Sequence, residues 1–71
     1  MSFALFDVVV LAEDLPEEGL RAGMNGTVVD IHVKPCEAYE VEFCDDSGQT
    51  IAALALLPSQ LSTTVFWKSK N

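Results

Sequence analysis

One histidine and two cysteines are the residues of this chain best suited to ligate a transition metal. His32, Cys36 and Cys44 have spacings that match no zinc-binding pattern, and the two cysteines do not form a CxxC pair. An extended segment of eight residues spans about 26 Å, whereas a disulfide joins Cα atoms that lie within about 7 Å of each other. We therefore predict no metal site, no cofactor and no intrachain disulfide.

Carboxylates are the more abundant candidates for chemistry. Six of them stand out by their spacing: Glu13, Asp14, Glu17, Glu18, Glu40 and Glu42. General acid–base catalysis needs a carboxyl group whose pKa is shifted by its surroundings, whereas alternation with apolar residues places Glu40 and Glu42 on a solvated face. The sequence has no nucleophile elbow and no phosphate-binding glycine loop, and a domain this small is expected to lack a ligand pocket. We predict that the chain is not an enzyme and that these carboxylates bind a partner; the alternative is a solvated surface that only opposes aggregation.

The charge balance restricts the kind of partner. Eleven acidic residues oppose four basic ones, which gives a net charge of −7, and Lys68 and Lys70 lie among the last four residues. Residues 1–67 therefore carry eleven acids against Arg21 and Lys34, a balance of −9. Nucleic acids and anionic membranes are bound through lysine and arginine. We predict that the chain binds neither of them; the charge is compatible with a basic protein partner or with a cationic ligand.

The length of 71 residues predicts one domain. The longest apolar run, Ile51 to Leu57, has seven residues, and a membrane-spanning helix needs about 20. The first five residues contain no basic side chain and therefore do not resemble a signal peptide. Two unpaired cysteines suit a reducing compartment, so a cytoplasmic location is expected.

Short alternating patterns separated by turn residues predict an all-β fold. Strands are expected at about residues 5–11, 27–33, 38–44, 49–57 and 63–67, with a flexible tail at 68–71. Val29, Ile31 and Val33 should share one face of the second strand, while Tyr39, Val41 and Phe43 alternate with glutamates and should face the core. A long acidic loop follows the first strand, and a proline predicts a 3₁₀ turn before the last one. Together these elements describe a five-stranded SH3-like barrel.

The fourth predicted strand is apolar on both of its faces. By period two, one row holds Ile51, Ala53, Ala55 and Leu57, and the other holds Ala52, Leu54 and Leu56. Because a barrel strand needs only one apolar face for the core, we assign Leu54 and Leu56 to an outward row that binds a second copy of the chain, extended by Phe66 or Trp67. A dimer is the default and a tetramer the second option. The alternative is that the C-terminal segment covers this face within one chain.

The chain also resembles a known bacterial family. Residues 23–31 resemble the glycine-valine core of KOW-type and related SH3-like barrels, and residues 5–61 are similar to small proteins grouped as domain of unknown function 4926. The matching pieces are Phe6–Leu11, Asp14–Pro16, Gly19-Leu20, Gly26–Val29, Tyr39–Phe43, Gly48 and Leu56–Leu61. The alanine-rich fourth strand and the aromatic pair Phe66-Trp67 depart from the family pattern. The resemblance implies an SH3-like barrel whose first loop contributes to a binding surface, and it implies no particular activity.

These observations lead to one functional hypothesis and two alternatives. We expect a non-catalytic acidic module that docks on a basic protein, in the manner of an antitoxin or immunity protein that masks a toxin. The first alternative is an accessory or stabilising subunit of a larger enzyme. The second alternative is a KOW-like RNA-binding module, which the acidic charge opposes.

Overall fold

Five antiparallel strands and two 3₁₀ turns form the regular structure of residues 3–63, the part of the chain described by this computed structural model. The strands are β1 (Val8–Leu11), β2 (Asn25–His32), β3 (Ala38–Cys44), β4 (Thr50–Leu56) and β5 (Leu61–Thr63). The turns are η1 (Pro16–Glu18), between β1 and β2, and η2 (Pro58–Gln60), between β4 and β5. The all-β prediction is confirmed. No helix within residues 3–63 is both long and apolar enough to cross a membrane.

The strands form one sheet in the order β4-β3-β2-β1-β5, so β4 and β5 are its edges. The predicted closed barrel is therefore wrong for the described residues. In these residues the turn η2 connects the two edge strands, which do not pair with each other. Pro58 begins that turn because proline fixes φ and lacks the N–H group that a sheet ladder needs. Within the described residues β5 has three residues and pairs with β1 from Val9 to Leu11.

Three strands begin two or more residues away from the predicted start: β1, β5 and β2, of which β2 begins at Asn25 and not at residue 27. β1 begins at Val8 and not near residue 5, because residues 4–7 form a turn in which the Asp7 N–H donates to the Ala4 carbonyl at 3.1 Å. The Asp7 carboxylate accepts the Ala4 N–H at 2.8 Å in the same turn. β5 begins at Leu61, two residues before the predicted start, and positions 64–67 of the predicted strand and 68–71 of the predicted tail lie outside the described residues.

The core lies on one face of the sheet, and β3 supplies its centre. Tyr39, Val41 and Phe43 are each at most 1% exposed, as their alternation with glutamates predicts. Phe3 packs edge-on against the Tyr39 ring with centroids 5.3 Å apart, and its N–H donates to the Tyr39 hydroxyl at 3.2 Å. The other members of the core are Val9, Leu11, Leu20, Val28, Leu56 and Leu61.

A β-bulge in β2 changes which of its residues face the core. The register between β2 and β3 shifts between Val28 and Asp30, so Val28 is fully buried while Val29 is exposed. Ile31 still packs against the core, but Val33 lies beyond the end of β2 and is 72% exposed. The prediction that Val29, Ile31 and Val33 share one face is therefore wrong, because an inserted residue reverses the alternation.

Candidate functional site

The acidic segment between β1 and β2 is anchored to the core at both ends of η1. Leu15 and Leu20 exchange backbone hydrogen bonds of 2.9 and 3.1 Å, while the Leu20 side chain is fully buried and Leu15 packs against the core. Gly19 follows η1 with φ of 74°, a left-handed conformation that glycine adopts without strain. The segment is thus a constrained turn that presents Glu17 and Glu18 at a defined place.

A cleft of about 360 Å³ lies between η1 and the edge strand β4. Its lining residues are Leu15, Pro16, Glu17, Glu18, Leu54, Ala55, Leu56 and Gln60. The volume falls within the range of small-molecule and peptide pockets, which corrects the expectation that the domain is too small to have one. The cleft combines apolar walls with two exposed carboxylates, so its chemistry suits a group that is apolar in one part and cationic in another.

Gln60 connects the cleft to a third carboxylate. Its side-chain oxygen accepts the Leu57 N–H at 2.8 Å, and its side-chain nitrogen donates to Glu13 Oε2 at 3.0 Å. This pair of bonds orients the amide and holds Glu13 beside the cleft. The sequence did not identify Gln60 and Leu15 as site residues, because Leu57 stands where the capping sequence signal has a serine or threonine three residues before a glutamine.

The six predicted binding carboxylates divide into three groups. Glu13, Glu17 and Glu18 surround the cleft, whereas the Asp14 carboxylate accepts the Ala22 N–H at 2.9 Å across the base of the loop. Asp14 therefore stabilises the loop and does not line the cleft.

Glu40 and Glu42 form the third group, on the outer face of β3. Glu40 pairs in register with Ala55, which lines the cleft, and Glu42 pairs with Ala53, which does not. Glu40 Oε1 lies 3.5 Å from His32 Nε2, an ion pair when the histidine is protonated, and the Glu42 carboxylate accepts the Thr50 hydroxyl. Glu40 is thus one strand away from a residue that lines the cleft, and neither Glu40 nor Glu42 lines the cleft itself.

The predicted outward row of β4 is the wrong row. Leu56 is 3% exposed in the core, and Leu54 is partly buried against it, because they pair with Tyr39 and Val41 on the inner face of β3. The outward row is the other one, in which Ile51 and Leu57 are about half exposed. The other predicted interface residues, Phe66 and Trp67, lie outside the described residues.

Two titratable groups with shifted pKa values lie away from the cleft. The hydrogen bond that the Tyr39 hydroxyl donates to Glu37 raises the pKa of Tyr39. The Ser47 hydroxyl and the Gln49 N–H donate to the Asp45 carboxylate and lower its pKa. Cys36 and Cys44 are both free and exposed, and residues 3–63 contain no group of three or more histidine, cysteine or acidic side chains placed to hold a metal ion.

The fold and the cleft define a small all-β domain, an open antiparallel sheet with an acid-rimmed cleft at one edge. The family model described as Domain of unknown function (DUF4926) matches residues 5–63. The chain belongs to this family, which confirms the resemblance seen in the sequence. Searches of curated proteins and of solved structures found no match.

Proposed function

We propose that this protein is a non-catalytic interaction module that binds a basic segment of a protein partner in the cleft between η1 and β4. The observation that carries the proposal is the pairing of apolar walls with Glu17 and Glu18 at one site. An apolar side chain of the partner would enter between Leu15 and Leu54, and a neighbouring lysine or arginine would meet the carboxylates. Charge-assisted hydrogen bonds of this kind fix the orientation of a bound segment.

The electrostatic field of the domain favours such a partner. Residues 3–63 contain all eleven acidic side chains, while Arg21 and Lys34 are their only lysine or arginine residues. A field of one sign attracts an oppositely charged partner and raises the association rate at low ionic strength. We expect the carboxylates at the cleft to contribute more to the association rate than to the lifetime of the complex.

The sheet order also supports an SH3-like origin for the domain. The meander β1–β4 is completed by β5 on the far side of β1, and the acidic turn after β1 occupies the place where such domains often bind ligands. We propose that the protein acts in the cytoplasm and masks a basic surface, as an antitoxin or immunity protein does. Small size and acidity support this form of the proposal, and the two free cysteines suit the location.

Affinity capture from the native host, followed by mass spectrometry, identifies the partner. A basic, toxin-like protein supports the proposal, and a metabolic enzyme that copurifies in fixed stoichiometry favours the accessory-subunit alternative instead. RNA retained in a filter-binding assay at low salt would contradict the charge argument.

Charge reversal then tests the site. We expect Glu17→Lys/Glu18→Lys to slow association with the captured partner about tenfold or more at low salt. The matched control is Asp30→Lys/Asp46→Lys, which changes the net charge equally but alters no residue of the cleft. Equal association rates for the two variants would show that net charge, and not this site, attracts the partner.

A further inference from the structure

We propose that the C-terminal segment of the same chain, residues 64–71, occupies the cleft in the free protein. This inference goes beyond the proposed function and does not depend on it, because both components belong to this chain. It identifies an intramolecular occupant that any external ligand of the cleft must displace.

The composition of the segment is complementary to the cleft. Val65, Phe66 and Trp67 provide apolar side chains, Lys68 and Lys70 follow them directly, and the segment has no acidic side chain. The cleft offers the converse arrangement, with walls from Leu15, Leu54 and Leu56 and carboxylates from Glu17 and Glu18. Half of the basic side chains of the whole protein are therefore in a segment attached to a domain with eleven acids.

β1 provides few further pairing partners for this segment. β5 pairs with β1 up to Thr63, opposite Val9, and β1 begins at Val8. Residues 4–7 are already folded into the turn closed by Asp7. β1 therefore offers a pairing position for about one residue beyond Thr63.

The segment is long enough to reach the cleft. Gln60 lines the cleft and directly precedes β5, and a strand of three residues carries the chain about 10 Å away from it. The eight residues that follow Thr63 span about 26 Å when extended. The extended length of the segment thus exceeds the length of β5, so the segment can return to the Gln60 end of the cleft.

A nearer apolar surface is the main competitor as a docking site. Leu5, Phe6 and Val8 are about half exposed or more, close to the position where β5 ends. The acidic group beside them is Asp7, whose carboxylate already accepts the Ala4 N–H. This surface offers apolar contact but no group of carboxylates for the two lysines, so the observations favour the cleft.

Trp67 is the only tryptophan of the chain, so its fluorescence reports on this segment in the intact protein. We expect its emission to be blue-shifted relative to the urea-unfolded chain and protected from acrylamide. Ala55→Arg, at an exposed position that lines the cleft, should abolish both the shift and the protection. The matched control is Ala53→Arg, which is on the same face of β4 and is also opposite a glutamate of β3 but lies outside the cleft. This control should leave the blue shift and the protection from acrylamide unchanged.

Charge and concentration provide independent tests. Glu17→Lys/Glu18→Lys should red-shift the emission while Asp30→Lys/Asp46→Lys does not. Raising the salt concentration from about 0.01 M to about 1 M shortens the screening length from about 30 Å to about 3 Å. This change should red-shift the emission of the wild-type protein in part. Far-UV circular dichroism identifies the folded variants.

Three results would overturn the inference. Emission in the native protein equal to that of the unfolded chain means that the segment is not docked, and sensitivity to Phe6→Ala but not to Ala55→Arg places it on the competing surface. A shift that grows with protein concentration, together with a dimer in sedimentation equilibrium, assigns the cleft to a second copy of the chain. None of these results tests the proposed partner, whose association rates are measured separately.

Discussion

Replacing Gly26 with alanine tests the pairing of β2 with β3 at its tightest point. Gly26 is opposite Phe43 in register. A Cβ atom at this position would lie 2.5 Å from Cγ1 of Val41 and 2.9 Å from Cε1 of Phe43, closer than carbon atoms approach without strain. Inserting a methyl group into a packed core costs about 1–3 kcal/mol, whereas the lower entropy of the unfolded chain returns about 0.4–1 kcal/mol. We therefore expect Gly26→Ala to lower the free energy of unfolding by about 1–2 kcal/mol.

The loss is large for a domain of this size. A chain of 71 residues has a total free energy of unfolding of about 4–11 kcal/mol, and for so small a domain each kcal/mol moves the melting temperature by about 4–8 °C. Urea denaturation followed by far-UV circular dichroism measures the change. An unchanged dependence on denaturant concentration shows that the variant keeps the same compactness.

A double-mutant cycle identifies the contact responsible. Val41→Ala alone should cost about 2 kcal/mol, because two buried methyl groups are lost and a cavity remains. In Gly26→Ala/Val41→Ala the new methyl group occupies space that Val41 has vacated, so the double variant should be more stable than the sum of the single effects predicts, by about 1 kcal/mol. Single effects that add to within about 0.3–0.5 kcal/mol would refute the contact, and with it the inward position of Gly26.

Three further predictions concern pH and self-association. The Ser47 hydroxyl stabilises the charged form of Asp45 and so lowers the pKa of that carboxyl group. The stability that ionised Asp45 contributes is therefore present above the ordinary carboxyl pKa and is lost as the pH falls through the lowered value. Asp45→Asn should reduce the loss of stability between pH ~7 and ~3, measured by urea denaturation. The pKa of Tyr39 is raised, so the stability that its protonated hydroxyl contributes is complete below the ordinary tyrosine pKa and is lost as the pH rises towards the raised value. The loss of stability at alkaline pH should therefore be smaller in Tyr39→Phe than in the wild-type protein. An equal loss in the two proteins would contradict this assignment. If the outward row of β4 binds a second copy, Ile51→Glu/Leu57→Glu should convert a dimer into a monomer in sedimentation equilibrium, and a wild-type protein that remains monomeric at high micromolar concentration would exclude the interface.

The acidic candidates show where prediction of the site succeeded and where it stopped. Composition alone revealed a cluster of carboxylates after the first strand, since their number and spacing are visible in one segment. It could not separate Asp14, which stabilises the loop through the Ala22 N–H, from Glu17 and Glu18, which line the cleft. The difference depends on the Leu15–Leu20 bridge and on the distant strand β4, and neither can be inferred from local sequence.

The sequence by itself determined the β-strand class of the chain and the inward residues of β3. Tyr39, Val41 and Phe43 alternate with glutamates, and a buried, unpaired carboxylate is so costly that only one orientation of this strand is allowed. The order of the motifs along residues 5–61 likewise indicated the family, whose model matches residues 5–63.

Only the tertiary structure decided the faces of β2 and β4 and the opening of the sheet. Period two divides a strand into two rows but does not say which row faces the core when both are apolar. In β4 the register with β3 places Leu54 opposite Val41 and so turns that row inward, and in β2 one bulged residue reverses the alternation at Val29. Both depend on pairing with residues distant in the sequence, because a hydrogen-bonded ladder transmits the orientation of one strand to the next.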